Sequence, residues 1–406
     1  MRFMLLAPAL LALVGFQARD HAAAQQPHSP GGAVQTAPPN KRDAQPAFKE
    51  QTRAPEHLSG VKLKITDYAT DIGTPWAMAL LPDGDLLVTS KRGKLFRVKP
   101  SGAKSEITGV PPVSSNGQGG LLDISLSPDF TASRTLFFTF SQPREGGANS
   151  TSVGRAQMSA DGSRLENLKV IFQQNPAWKS DLHFGSNIEW DGQGNFYLNL
   201  GERSLPEPRH LAQDLKTDLG KVVRLTPDGA PAPGNPFLGR TDARPEIWSY
   251  GHRNVQGAAI NPATGKLWTI EHGPRGGDEI NVPQAGKNYG WPIICYCIDY
   301  SGQPIGAGIT SKEGMEQPAY YFDPVIAPGD MIFYTGDAFP KWKGNILIAA
   351  LSGSIVRLEV DGEKIVGEER LLRDEGRFRD ILQSPDGALF VTTESGGGKV
   401  LKLTPG

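Results

Sequence analysis

Four short segments carry residue types suited to chemistry. The first is Ser180-Asp181-Leu182-His183-Phe184-Gly185, where an imidazole follows two residues after a carboxylate. Histidine titrates near neutrality, so His183 can take a proton from an alcohol. In an extended segment Asp181 would lie on the same side and orient the ring. The plainer alternative is a histidine that caps a turn. The second segment, Tyr250-Gly251-His252-Arg253-Asn254-Val255-Gln256-Gly257, sets an arginine beside amides and between glycines. A guanidinium fork matches a ligand's carboxylate, and equally a structural acid. The third, Glu271-His272-Gly273-Pro274-Arg275-Gly276-Gly277-Asp278-Glu279-Ile280-Asn281, crowds glycines and acids. Glycine-rich backbone can turn carbonyls toward a hard cation while carboxylates complete an oxygen shell, which is calcium chemistry. The spacing is not that of the helix-flanked calcium loop, and a solvated polar turn fits it as well. In the fourth, Gly376-Arg377-Phe378-Arg379-Asp380, alternation along a strand points Arg377 and Arg379 the same way. Two such cations need an anion between them, or else they lie exposed.

Some scaffold must bring these segments together. A phrase recurs along the chain: an apolar residue, a turn with Asp or Gly, then an alternating strand. Its copies start at Leu81-Pro82-Asp83-Gly84, Ser127-Pro128-Asp129-Phe130, Trp190-Asp191-Gly192, Asn261-Pro262-Ala263-Thr264-Gly265, Trp342-Lys343-Gly344-Asn345 and Ser384-Pro385-Asp386-Gly387. Asp-Gly between strands marks a hairpin, because such residues accept positive φ cheaply. Six hairpin phrases at intervals of about 40 to 80 residues predict an all-β fold, a six-bladed β-propeller, with an irregular β-sandwich as the alternative. Helical periodicity is scarce, with at most one short helix near 210–220. Closure of the ring would pair residues 61–65 with 399–403. In such a fold, function sits on the loops at one mouth of the central channel.

Composition sets the outer bounds. The chain has 406 residues and a formal net charge of -1, which argues against non-specific nucleic-acid binding and leaves a small anionic ligand open. Arg2, an apolar run from Leu5 to Phe16 and Ala22-Ala23-Ala24 read as a signal peptide over 1–24, too short to span a bilayer. With no later membrane span, the protein is expected to be periplasmic or secreted. Residues 25–57, rich in Pro, Gln, Ala and charge, predict a disordered tether before a catalytic propeller at 58–406. Cys295 and Cys297 read as unpaired buried thiols, since one intervening residue makes a bridge strained and partners for a metal are missing nearby.

Taken together, the segments resemble the soluble aldose (glucose/sorbosone-type) dehydrogenases that use pyrroloquinoline quinone (PQQ). The resemblance rests on Gly117-Gln118-Gly119-Gly120-Leu121-Leu122-Asp123, Ala212-Gln213-Asp214-Leu215 with Leu219-Gly220-Lys221, and Trp248-Ser249-Tyr250-Gly251-His252-Arg253-Asn254. It extends to Glu271–Glu279 and Gly286-Lys287-Asn288-Tyr289-Gly290-Trp291-Pro292, all in consistent order. It implies oxidation of an aldose to a lactone, with His183 as the base and hydride passing to calcium-bound PQQ. It also implies that Gln118, Arg253, Asn254, Tyr300, Arg377 and Arg379 contact the cofactor. Carbonyls of Gly273 and Pro274 would ligate the calcium at the quinone, with a further calcium at Glu279 and Tyr289. The electron acceptor is left unnamed, and a monomer or homodimer is expected.

The chain departs from the family pattern at three places. Ser186-Asn187 replaces Gly-Gly-Arg, Ser352 replaces a lysine, and Gly329-Asp330 replaces Ser-Gly, which adds a negative charge. Fewer cations keep open a non-catalytic extracellular propeller that binds sugar or protein. A calcium-dependent lactone hydrolase is a third reading, which the convergent arginines disfavour.

Overall fold

The computed structural model describes residues 18–21 and 31–406. Six antiparallel sheets of four strands, one extended to five, account for nearly all its regular structure. Blade 1 runs through Pro75–Leu80, Leu86–Ser90, Lys94–Val98 and Lys104–Ile107. Blade 2 holds Leu121–Leu126, Thr135–Pro143, Asn149–Met158 and Leu165–Gln173. Blade 3 holds Gly185–Trp190, Phe196–Leu200, Lys221–Leu225 and Ile247–Tyr250. Blade 4 holds Val255–Ile260, Leu267–Glu271, Asp278–Asn281 and Tyr320–Phe322. Blade 5 holds Pro328–Phe333, Ile346–Ala350, Ser354–Asp361 and Lys364–Leu371. Blade 6 takes Phe378–Gln383, Leu389–Thr393 and Lys399–Pro405 from the end of the chain and Leu63–Ala69 from its beginning. The pairing of Leu63 with Pro405 and Ile65 with Leu403 closes the ring where it was expected.

The sequence dictates this packing. The second strand of five blades is buried along its whole length, as in Leu86–Ser90 and Ile346–Ala350, and that of blade 2 along all but its last two residues. Neighbouring blades cover both of its faces, so apolar runs replace simple alternation there. The apolar side chains fall into clusters that bridge adjacent blades. Leu87 and Phe138 join blades 1 and 2, Phe137 and Leu198 blades 2 and 3, and Val222 and Leu267 blades 3 and 4. Trp268 and Ile348 join blades 4 and 5, Leu347 and Val391 blades 5 and 6, and Val88 and Phe390 blades 6 and 1. Each fully buried large side chain contributes about 1.5–3 kcal/mol, and the circuit has no gap.

Buried acids stitch the inner strands as well. Asp123 Oδ2 accepts the Ile188 N–H (2.6 Å), Glu189 Oε1 the Ile260 N–H (2.9 Å) and Asp380 Oδ2 the Met78 N–H (2.7 Å), each reaching the next blade.

All six recurring phrases fall at the same place, the turn between the first and second strands of a blade. In an antiparallel blade the first strand starts, and the second ends, at the opposite rim. That rim receives the four chemistry-bearing segments.

Two expectations are corrected here. Residues 31–57, read as part of a disordered tether, run as an ordered strap along blades 4 and 5. Its short helical turn Lys49–Gln51, a bridge from Ala33 to Pro55 and a bridge from Glu56 to Glu368 hold it in place. Low hydrophobicity misled because the strap is held by hydrogen bonds to propeller groups and buries little apolar area of its own. Cys295 and Cys297 are joined in a disulfide with a Cα–Cα distance of 5.2 Å, not free. A bulged loop brings the two Cα atoms within bridging distance despite one intervening residue. The signal-peptide reading falls mainly on residues outside the described ones; Ala18–His21, which are described, pair along Leu63–Thr66. Among the described residues no helix is long and apolar enough to cross a membrane.

Candidate active site

His183 lies in the crossing from blade 2 to blade 3, just before the inner strand. Its backbone is left-handed (φ 50°), a conformation that costs a non-glycine residue on the order of 1–2 kcal/mol. The surroundings enforce it. Gln118 Oε1 accepts the His183 N–H at 2.8 Å. A Cβ at residue 201 would sit 2.1 Å from the His183 carbonyl oxygen, so only glycine permits the approach. The left-handed turn takes the ring away from Asp181, the orienting acid expected from an extended segment. Glu202, at the end of the neighbouring strand, does that work: its Oε2 lies 3.1 Å from His183 Nδ1. Both groups are buried, and the Ser204 N–H also bonds Glu202. Burial lowers the His183 pKa, and the positive charge of Arg253 adds to this, against the opposing pull of Glu202. With Nδ1 engaged by a carboxylate, neutral His183 keeps Nε2 as its proton acceptor.

A chain of polar contacts joins His183 to the predicted cofactor residues. Asn254 Oδ1 accepts the Gly185 N–H (3.0 Å) and the Gln256 Nε2 (3.2 Å). Arg379 Nη1 donates to Gln256 Oε1 (3.1 Å) and its guanidinium stacks on Trp76, 4.2 Å from the ring centre. Arg253 Nη1 donates to the His272 carbonyl (2.8 Å), and its guanidinium lies over Trp291. The Nε groups of Arg253 and Arg379 are buried with no hydrogen-bond acceptor among the described residues. Two buried, unsatisfied guanidinium donors at one mouth suit an anionic ligand, since an unpaired buried donor is costly. His272 lies close to Arg379, Arg253 and His183; burial, then the two arginine charges, hold its pKa well below the usual value.

The third segment adjoins this cluster. Arg253, His272, Gly273, Pro274, Glu279 and Tyr289 line one cleft, with Cys295 and Cys297 in its wall. Asp278 fixes the turn by accepting the Gly273 N–H (2.8 Å) and the Ile326 and Ala327 N–H groups (2.7 Å each). Glu279 is half-buried beside Glu271; loss of solvent and then that neighbour raise its pKa well above the ordinary carboxylate range. A carboxylate in that position favours a cation nearby. Among the described residues no three His, Cys, Asp or Glu side chains form a metal cage, so a cation here would rely on main-chain oxygens. The Tyr289 hydroxyl is already committed, donating to the Val282 carbonyl (2.7 Å) and accepting the Gln284 N–H (3.0 Å), which leaves its main chain to serve a metal. His252 has a structural part, with Nδ1 on Glu271 (3.0 Å), Nε2 on Ser249 Oγ (2.8 Å) and its ring stacked on Tyr289.

Two predicted residues stand apart. Tyr300 occupies a hairpin tip and is 65% exposed. The Arg377 side chain is 58% exposed against 10% for Arg379, and Arg377 Nε donates to Glu394 (3.1 Å). Arg379 also approaches Glu394 at 3.9 Å, so the anion between the paired arginines is supplied by the protein itself. Asp330 does not add the negative charge expected of it. It lies in the channel against Asp380 and Asn187 Nδ2 (3.5 Å), and burial, then Asp380 and Asp123, raise its pKa well above the carboxylate range. The surroundings thus disfavour the charged form of Asp330 beside Asp380. Ser352 is an exposed turn residue of blade 5.

The profile of the Glucose / Sorbosone dehydrogenase family matches residues 72–402. The chain belongs to this family. An aldose sugar dehydrogenase of Escherichia coli (strain K12) is 43% identical over 336 residues, covering 82% of this chain and 90% of that protein. The crystal structure of the soluble aldose sugar dehydrogenase from Escherichia coli in its apo form superposes with a TM-score of 0.81 at 40% identity, over 85% of this chain and all of that one. The PQQ-bound form of the aldose sugar dehydrogenase from Streptomyces coelicolor superposes with a TM-score of 0.70 at 30% identity, over 85% and 98% of the two chains. The family's six-bladed architecture is the one found here, and the member is a sugar dehydrogenase by descent.

Proposed function

We propose that the protein oxidises aldoses to lactones with PQQ as its resident cofactor, outside the cytoplasm. The observation that carries this reading is the convergence of His183, tied to Glu202, with the unsatisfied Nε donors of Arg253 and Arg379. PQQ carries three carboxylates, which match those donors, and a PQQ-bound relative shares the fold at 30% identity. Bound PQQ supplies the two-electron acceptor for hydride, and calcium on the Gly273 and Pro274 carbonyls would stabilise negative charge developing there.

The chain's own residues do the rest. Arg253 and Arg379 orient the cofactor's carboxylates, with Asn254 and Gln118 holding the adjoining loops. Neutral His183 takes the sugar hydroxyl proton at Nε2 as hydride leaves the same carbon, and Glu202 stabilises the imidazolium that results. The Cys295–Cys297 disulfide suits an oxidising compartment, in keeping with a periplasmic or secreted protein. Purified protein supplied with PQQ and calcium should reduce an artificial dye with aldoses; no reduction with any of a panel of aldoses would reject the reading.

The pH dependence has a defined sign. His183 must be unprotonated to act, and burial lowers its pKa. The acidic limb of kcat/KM should therefore fall at a pH below about 6.5, the ordinary histidine value, since activity survives until the imidazole is protonated. A limb centred above that value would contradict the assignment.

Calcium binding is expected at the cleft. Calorimetric titration of the metal-free protein should give a binding isotherm that Glu279→Gln weakens, because that carboxylate is half-buried beside Glu271. Wild-type protein that takes up no calcium, with or without PQQ, would remove the metal from the scheme.

A further inference from the structure

The strap formed by residues 31–57 lies outside the residues matched by the family profile, which begin at 72. It does more than cover blades 4 and 5. At one anchor, Asp323 Oδ1 accepts the Asn40 N–H (2.7 Å) and Asn40 Nδ2 (2.9 Å), while Oδ2 accepts the Lys41 N–H (3.0 Å). Arg53 Nη2 donates to the Asp323 carbonyl (2.8 Å). The same carboxylate is packed against Gly276, where an added Cβ would come within 2.6 Å of it. Asp323 thus joins the strap to the glycine turn that follows Gly273 and Pro274.

The second anchor is Gln51. Its side chain is fully buried, with Nε2 donating to the Pro318 carbonyl (3.0 Å) and Oε1 accepting the Ala47 N–H (2.7 Å). Nε2 also reaches Gln317 Oε1 (3.5 Å), the oxygen that accepts the Tyr296 hydroxyl (2.6 Å). Tyr296 is the residue between the two bridged cysteines, and its ring stacks on Tyr321 at 4.0 Å. Thr52 Oγ1 donates to the Tyr321 carbonyl (2.9 Å), so the strap also holds the main chain beneath the second ring of the stack. Cys297 in turn packs on Gly277, whose Cβ position is 3.1 Å from it. The two anchors therefore converge on opposite sides of one wall of the cleft, the glycine turn and the disulfide loop.

We infer that the strap is a positioning element of the cleft, which fixes the Gly276–Gly277 turn and the Cys295–Cys297 loop through Asp323 and Tyr296. The inference deepens the proposed function and rests on the cleft being the cofactor site. A wall held from outside loses less freedom when a ligand docks, so the strap should raise affinity without touching the ligand. By linkage, a ligand that binds the ordered wall must in turn steady the strap.

The test uses the full chain. Gln51→Ala and, from the other side of the shared acceptor Gln317, Tyr296→Phe are compared with Glu50→Ala, whose side chain is partly exposed and pairs with Lys364. Amide exchange is followed across 275–298 in the cofactor-free protein, alongside the equilibrium affinity for PQQ. Both anchor variants should exchange faster over 275–298 and bind PQQ about 2–10-fold more weakly, the effect of one lost neutral hydrogen bond, and the double variant should be less than additive. Glu50→Ala should match wild type in both. Exchange across 275–298 that stays at the wild-type rate in both variants overturns the positioning role, even if the melting temperature falls. Tyr296→Phe retains the ring stack and decides the matter if Gln51→Ala does not fold. Wild-type protein that binds no PQQ would reject the cofactor reading instead, and the exchange rates in cofactor-free protein would still decide whether the strap holds the wall.

Discussion

His183→Gln should leave PQQ affinity nearly unchanged while turnover falls by roughly 10²–10⁴-fold, the usual size of a general-base contribution. Glutamine keeps much of the volume and can still donate to Glu202, but it cannot accept and hold a proton. A sugar hydroxyl is a very weak acid, so hydride departure needs a base acting in the same event. The geometry favours His183 over the other two histidines at this rim. His252 has both ring nitrogens committed to Glu271 and Ser249, and burial and two arginine charges hold the pKa of His272 well below the usual value. The acidic limb of the pH profile should vanish in the variant. A variant that oxidises sugar at the wild-type rate would make His183 structural and defeat the proposed mechanism.

Arg379→Ala should weaken PQQ binding by about 1.5–3 kcal/mol, roughly 10–150-fold, the loss of one charge-assisted contact. Arg377→Ala should cost distinctly less. The two arginines are two residues apart, yet their surroundings differ. Arg379 is buried against Trp76 with an unsatisfied Nε, whereas Arg377 is largely exposed and paired with Glu394. Equilibrium titration of cofactor-free protein measures both. Equal losses would mean that burial does not separate the two, and unchanged affinity in Arg379→Ala would remove it from the site.

The blades were legible because each repeats the same turn chemistry at the same place. Leu81-Pro82-Asp83-Gly84 and Ser384-Pro385-Asp386-Gly387 are local signals, and local signals survive without knowledge of the fold. Once the turns mark one rim, the loops bearing His183, Arg253 and Pro274 must gather at the other. What escaped was long-range. Glu202 has no motif of its own, and its role exists only because His183 adopts a left-handed backbone that turns it from Asp181. Gln256, which bridges Asn254 and Arg379, read as part of an arginine loop and not as its centre. Asp330 looked like an added charge because protonation depends on burial and on Asp380, neither visible in the chain. The strap looked disordered because its anchors, Asp323 and Pro318, lie more than two hundred residues away.

The shared sixth blade bears on how the molecule comes to exist. Among the blade strands, Leu63–Ala69 pair only with Lys399–Pro405, so the earliest propeller strand must wait for the latest to join its blade. Joining ends separated by more than 300 residues costs on the order of 5 kcal/mol in chain entropy, an outlay that no single blade recovers alone. Until the final strand arrives, Leu63–Ala69 present unpaired the edge that faces Lys399–Pro405, the kind of surface on which β-proteins aggregate. Ring closure is thus a late, non-local event, and a chain cut short by even a few residues at its carboxyl end would lose rungs of the ladder that closes its sixth blade.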